Sequence, residues 1–214
     1  MVVHFVCVLF TGFLVYTASP GSSLFSWHPA LMTVAFCLIM MQGLLVFSPQ
    51  SSLIMSSNRK VKTFYHWLLM ISSTVLALLG YLVIFKVKED SEKPHLMSWH
   101  AWIGLATIIY SVVQCLGGAN ILWFRSLATK ICPLATWKLM HATSGLLLFI
   151  LVTLSIITSL FTNWFVSMVT GTSWYTCLAC PLILLLAAAT QIKNAYLVGN
   201  SPANANSGKN KREE

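Results

Sequence analysis

Residues 98–104 read SWHAWIG, a histidine between two tryptophans at the head of a long apolar run. Three other stretches share the layout: SWHPALM at 26–32, FYHWLLM at 64–70 and LMHATSG at 139–145. Four apolar runs that each begin with a histidine set the questions of what the runs are and what the histidines hold.

Composition answers the first. The 214 residues are 57% hydrophobic and 8% charged, with a mean hydropathy of +0.77. A soluble domain is about a quarter charged, so this chain cannot cover a water-facing surface and is read as an integral membrane protein of one domain. Its formal charge of +8 does not point to nucleic acid, because the basic residues fall in short clusters between apolar runs. Six runs stand out, at 2–18, 29–47, 67–85, 101–122, 141–161 and 174–191. Each reaches the length of a spanning helix, the first only just. Helices are required, since backbone groups in lipid must pair within their own segment, and the alternating strands of a barrel are absent. All eight tryptophans fall at run ends, as an interfacial belt requires. Pro29 suits a first helical turn, and Pro181 should kink the last helix.

The loops orient the chain. Arg59, Lys60 and Lys62 lie in the second connection, Arg125, Lys130 and Lys138 in the fourth, and Lys193, Lys209, Lys211 and Arg212 in the tail, whereas the first and fifth connections are uncharged. The basic connections are therefore expected on the cytoplasmic side, with both termini. The first run lacks a basic leader and is read as helix one rather than a signal peptide. The domain is expected over 1–199, followed by a polar, low-complexity, disordered tail at 200–214. The six cysteines are read as small buried apolar residues; Cys177 and Cys180 form a C-x-x-C without a partner pair, a poor zinc or thioredoxin signature.

Ionisable residues inside membranes are expensive and usually functional. Consecutive helices run antiparallel, so His28 and His100 lie near the non-cytoplasmic face and His66 and His141 near the cytoplasmic one. With about 30 Å of hydrocarbon between the faces and metal–imidazole bonds of about 2 Å, four histidines cannot share one ion. Two centres, each with two axial imidazoles, are expected. Haem suits them, because the porphyrin supplies four nitrogens where a bare two-histidine zinc site would lack ligands. Four residues after the histidines stand Met32 and Met70 on helices two and three, and Gly104 and Gly145 on helices four and five. Each pair thus joins a Met helix to a Gly helix, the glycine admitting a flat macrocycle, and helices two–three resemble a repeat of four–five. Six-coordinate haem leaves no open iron position, which favours electron transfer over oxygen activation.

SSLFSWHPALM, LLVFSPQSSL, HLMSWHAWIG, QCLGG, HATSGL and GTSWY, spread over residues 21–199, resemble the cytochrome b561 family of six-helix transmembrane reductases, in particular its short domain-containing branch. The resemblance implies an all-α integral membrane fold of six transmembrane helices: a central four-helix bundle of helices two to five holding two non-covalent b haems through His28, His100, His66 and His141, with helices one and six peripheral. It also implies ascorbate as cytoplasmic electron donor and monodehydroascorbate or ferric iron as acceptor on the far side. Lys60 and Lys62, with Arg59, form a basic mouth before His66, and Lys138 lies three residues before His141; such a mouth attracts an anion. By resemblance Lys60 matches an ascorbate-contacting lysine best, and Lys138 matches more loosely. His95, before His100, resembles a histidine near the non-cytoplasmic acceptor site, and His4 is read as structural. The competing readings are a non-redox transporter or scaffold with structural histidines, and a quinol-linked cytochrome, which would place two ligands on one helix about four turns apart, a spacing absent here. The ending KREE resembles a retrieval signal, so an endoplasmic reticulum or vesicle membrane is expected; a homodimer is compatible with this reading.

Overall fold

The computed structural model describes residues 2–195, apart from the side chains of residues 127 and 128. Among them every regular element is helical. We number the long helices α1 (Val2–Ala18), α2 (Trp27–Leu45), α3 (Arg59–Asp90), α4 (Trp99–Trp123), α5 (Leu134–Ser159) and α6 (Gly171–Lys193). Two short helices, Arg125–Ile131 and Asn163–Met168, lie in the connections before α5 and α6. Helices α2 to α6 are long and apolar enough to cross a membrane; α1 is apolar but only 17 residues long, at the lower limit for a span. The expected tail at 200–214 lies outside the described residues, as does the end of the expected domain.

Two helix starts differ from the apolar runs. α3 begins at Arg59, where Asn58 Oδ1 accepts the Lys60 amide at 2.9 Å, and α5 begins after Pro133. His66 and His141 are therefore each the eighth residue of their helix, not the first. Hydropathy marks where lipid begins; in α3 a capped basic turn lets the helix start earlier, in the headgroups or water, while α5 starts directly after Pro133 without a side-chain cap. α4 does start where expected, with Ser98 Oγ accepting the Ala101 amide at 3.2 Å, and His28 and His100 are the second residues of α2 and α4. α6 runs unbroken through Pro181.

Packing joins α2 to α3 and α4 to α5; α3 also touches α4, while α1 and α6 pack on each other and on α2, with α6 reaching α5. Lipid tails are as apolar as leucine, so close approach and interhelical hydrogen bonds hold such helices together. At the α2–α3 crossing, small residues Ala35, Ser73 and Ala77 are buried, and Ser73 Oγ donates to the Ala35 carbonyl at 2.7 Å. Between α3 and α4, Thr74 Oγ1 donates to Met70 O at 2.9 Å and lies 3.0 Å from Ser111 Oγ and 3.3 Å from Cys115 Sγ. One hydroxyl thereby uses its proton and both lone pairs.

Candidate functional site

The four histidines meet in two pairs, as the antiparallel reading requires. His28 on α2 faces His100 on α4, with ring centroids 6.3 Å apart and planes 80° to one another. His66 on α3 faces His141 on α5 at 6.3 Å and 82°. Backbone carbonyls orient three of the rings. His28 Nδ1 donates to Gly80 O at 2.9 Å, His66 Nδ1 to Gly43 O at 2.8 Å and His100 Nδ1 to Ser155 O at 3.0 Å. A carbonyl only accepts, so each Nδ1 carries the proton and each Nε2 keeps its lone pair for a metal. Such outer partners fix the tautomer and raise ligand basicity.

The pairs fit a haem iron. A metal–imidazole bond is about 2 Å, and the centroid of a ring with bonds of ~1.35 Å lies about 1.1 Å from its nitrogen. Two imidazoles on opposite sides of one iron should have centroids about 6 Å apart, close to the 6.3 Å of both pairs. Among the described residues no third His, Cys, Asp or Glu converges with either pair. The pairs are also well separated: His66 and Gly80 O, which serve different pairs, are fourteen residues apart on α3, or about 21 Å along the axis.

Glycine and methionine take parts the spacing did not reveal. A Cβ on Gly80 would lie 3.3 Å from Met32 Cε and Leu31 Cβ, and one on Gly43 would lie 2.7 Å from Met70 Cε. Each methionine four residues after a ligand thus packs on the glycine whose carbonyl holds that ligand. Gly145 has open space about its Cα and Gly104 meets only Ser155 Oγ at 3.4 Å, so Gly145 alone presents the bare backbone expected of both. Gly118, in the QCLGG stretch, lies against the ring of His141; a Cβ there would come within 3.2 Å of Cε1. Gly43, Gly80, Ser155 and Gly118 escaped the sequence reading. A backbone carbonyl leaves no side-chain signal, and the near-constant interval from histidine to carbonyl along α2, α3 and α5 was the one trace of those three.

The remaining candidates divide by side. Lys60, in the first turn of α3, is exposed. Lys62 is half-buried and lies four residues before His66; Lys138 is exposed and lies three before His141. Those two spacings put Lys62 and Lys138 on the helix faces of the ligands, one turn away, whereas Lys60 is six residues from His66 and on another face. His95 is held against the end of α3: its Nε2 donates to Glu89 Oε1 at 2.7 Å and its ring stacks on Phe85 at 4.6 Å. Lys88 closes the same loop by donating to Pro94 O at 2.8 Å. His4, apart from both pairs, bonds through Nε2 to Ser51 O at 2.8 Å and ties α1 to the α2–α3 connection.

A family model described as eukaryotic cytochrome b561 matches residues 27–166, the stretch that contains all four paired histidines. The transmembrane reductase CYB561D2 of Mus musculus is 43% identical over 194 residues, which are 91% of this chain and 86% of that protein. The probable transmembrane reductase CYB561D1 of Homo sapiens is 38% identical over 194 residues, 91% of this chain and 84% of that protein. The transmembrane ascorbate ferrireductase 1 of Arabidopsis thaliana is 28% identical over 145 residues, 67% of this chain and 57% of that protein.

Proposed function

The chain belongs to the eukaryotic cytochrome b561 family, and from that premise we propose that it is a six-span, di-haem protein carrying electrons across its membrane. Ascorbate donates on the basic, cytoplasmic side, and monodehydroascorbate or ferric iron accepts on the other. The observation that carries the reading is the pair of 6.3 Å histidine contacts, with Nδ1 of three rings committed to carbonyls. Haem bound there would supply one-electron transfer. The chain's own residues do the rest. His66 and His141 would hold one haem nearer the basic side, His28 and His100 the other, with α2 to α5 forming the four-helix core around both. Because substrates cannot reach the iron, they must meet the sites at their edges. Lys62 and Lys138, one turn from the cytoplasmic ligands, with Lys60 at the rim, attract the ascorbate anion. On the far side His95, fixed by Glu89 and Phe85, offers a polar group to the acceptor. Among relatives, the Arabidopsis protein is named an ascorbate ferrireductase, which supports both donor and acceptor classes. We assign the protein to an endoplasmic reticulum or vesicle membrane with cytoplasmic termini; a second copy of the chain is the macromolecular partner in this reading.

Purified protein titrated with ascorbate tests it. Two haems per chain with bis-imidazole spectra, reduced by ascorbate, are expected. A colourless protein would return the histidines to a structural role. In proteoliposomes of known orientation, reduction of acceptor trapped on the opposite side from ascorbate is expected; same-side reduction alone would exclude transmembrane transfer.

A further inference from the structure

Helix α2 is not α-helical throughout: Val34–Met40 (VAFCLIM) forms a π-helical stretch between two α-helical pieces. Such bulges are rare and often mark functional sites. The stretch lies between His28 and Gly43, the two positions of α2 that serve the two histidine pairs.

Counting residues between hydrogen-bonded positions shows what the stretch does. On α3, His66 and the Gly80 carbonyl are fourteen residues apart, and on α5 His141 and the Ser155 carbonyl are also fourteen apart. On α2, His28 and the Gly43 carbonyl are fifteen apart. The extra residue can be located, because Ser73 Oγ bonds to Ala35 O midway along the α2–α3 crossing. His28 to Ala35 and Ser73 to Gly80 are both seven residues, whereas Ala35 to Gly43 is eight against seven from His66 to Ser73. The surplus falls inside the interval that holds the π turns. An i→i+5 ring contains one residue more than an i→i+4 ring, so a π-bulge takes up one residue without turning the helix beyond it.

Without that absorption, one surplus residue would rotate the rest of α2 by about 100°. On a backbone cylinder of about 2.3 Å radius, the rotation carries the Gly43 carbonyl roughly 3.5 Å sideways. The bond to His66 Nδ1 is 2.8 Å and could not survive. Met70, packed on Gly43, would lose its place as well.

We propose that the π stretch Val34–Met40 is a phase-correcting insertion, a positioning element that lets one helix supply His28 to one haem site and the Gly43 carbonyl to the ligand of the other. The inference rests on the di-haem reading. It makes an unusual demand: removal of one residue from the middle of a packed helix should be tolerated in this stretch and nowhere else in the core. Deleting a single residue between 34 and 40 leaves a fourteen-residue α-helical interval, the one that α3 and α5 already use. Within the interval from Ala35 to Gly43 that holds the surplus, Leu38 and Ile39 are half-buried where Ala35, Phe36, Cys37 and Met40 are buried, so they have less to lose.

The test is a scan of the seven single deletions across 34–40, beside deletion of Val75 in α3 and of Leu154 in α5. Both control side chains are exposed, at 48% and 42%, so only register is lost. Haem per protein, the bis-imidazole electron paramagnetic signal and the two midpoint potentials are read in detergent, without any substrate. Deletion of Leu38 or Ile39 is expected to keep two bis-imidazole haems at wild-type potentials. The Val75 and Leu154 deletions should lose a haem or shift a potential, as should one alanine inserted after Ile39. If none of the seven deletions keeps both haems, or if the Val75 deletion keeps both unchanged, the proposal fails. Wild-type protein without haem would instead overturn the di-haem reading, so the two failures are distinguishable.

Discussion

Replacing Gly80 with valine should loosen the haem held by His28 and His100 and spare the one held by His66 and His141. Gly80 is buried, and its carbonyl accepts from His28 Nδ1 at 2.9 Å. Even the Cβ of alanine would sit 3.3 Å from Leu31 Cβ, an atom fixed to the α2 backbone, and 3.3 Å from the more yielding Met32 Cε. Alanine thus requires the helices to part by a few tenths of an ångström, stretching the bond towards the limit of about 3.2 Å. The branched valine side chain requires more and breaks it. A buried carbonyl and an imidazole N–H then lose their partner, at about 1–3 kcal/mol. At about 1.4 kcal/mol per decade, haem affinity at that site should fall roughly five- to a hundredfold, in line with the cost of removing a partner from a metal-bound histidine. Competitive haem transfer to an apo-globin, followed at wavelengths that resolve the two haems, measures each site separately. Pairing Gly80→Val with Met32→Ala, which vacates space beside the valine, should restore part of the loss. Equal weakening of both haems, or no weakening, would refute the assignment of the Gly80 carbonyl to one ligand.

Further outcomes follow from the same geometry. His100→Ala should remove only the non-cytoplasmic haem and His141→Ala only the cytoplasmic one, halving haem per protein in each case; loss of the same haem in His28→Ala and His66→Ala would break the pairing. The 80° and 82° angles between imidazole planes predict strongly anisotropic low-spin electron paramagnetic signals from both ferric haems, and a rhombic signal of parallel imidazoles would contradict them. Lys62→Glu with Lys138→Glu should slow haem reduction by ascorbate severalfold or more, and raised salt should slow the wild type, since exposed charges are screened over about 8 Å at physiological ionic strength. A neutral, membrane-permeant donor should reduce that variant at the wild-type rate; equal slowing would indicate damage at the haem site. His95→Ala should slow electron exit to ferric chelates while leaving reduction by ascorbate unchanged in stopped-flow measurements.

Hydropathy and histidine spacing were legible because both are local. Twenty apolar residues announce a span, and alternation of helix direction sorts His28 with His100 and His66 with His141 before any coordinates are known. What stayed hidden depends on neighbours. The first turn of α3 is basic and Lys138 interrupts the start of α5, so the apolar count begins later, although Asn58 and Pro133 were signals for helix starts. VAFCLIM contains nothing that specifies π over α; the surplus residue exists only in comparison with α3. The roles of Gly43 and Gly80 are carried by carbonyls and by the absence of a Cβ, and Met32 and Met70 were noticed for their spacing but not for the glycines they cover. His95 was recognisable, yet its bond to Glu89 and its stacking on Phe85 required the fold of the loop.

The helix starts make the two ends of the molecule unequal, and that inequality suits one direction of flow. On the basic side, seven residues of α3 and of α5 precede each ligand, about 10 Å of helix beyond the site. On these extensions Lys62 and Lys138 stand one turn from His66 and His141. Under the proposed function, a small anion approaching there would meet positive charge close to the ligands. At the other end His28 and His100 are the second residues of α2 and α4, while α3 continues ten residues past Gly80 to Asp90. There Lys86 pairs with Asp90, and across residues 86–93 three lysines stand against three acidic residues, so the fixed charges of that connection balance. Under the proposed function, a bulky acceptor such as a chelated ferric ion needs only an edge near the surface, takes one electron there and leaves as the ferrous chelate. Under the proposed function, a charged entrance for ascorbate and a less charged exit would follow from these two ends, without any difference in the ligands themselves.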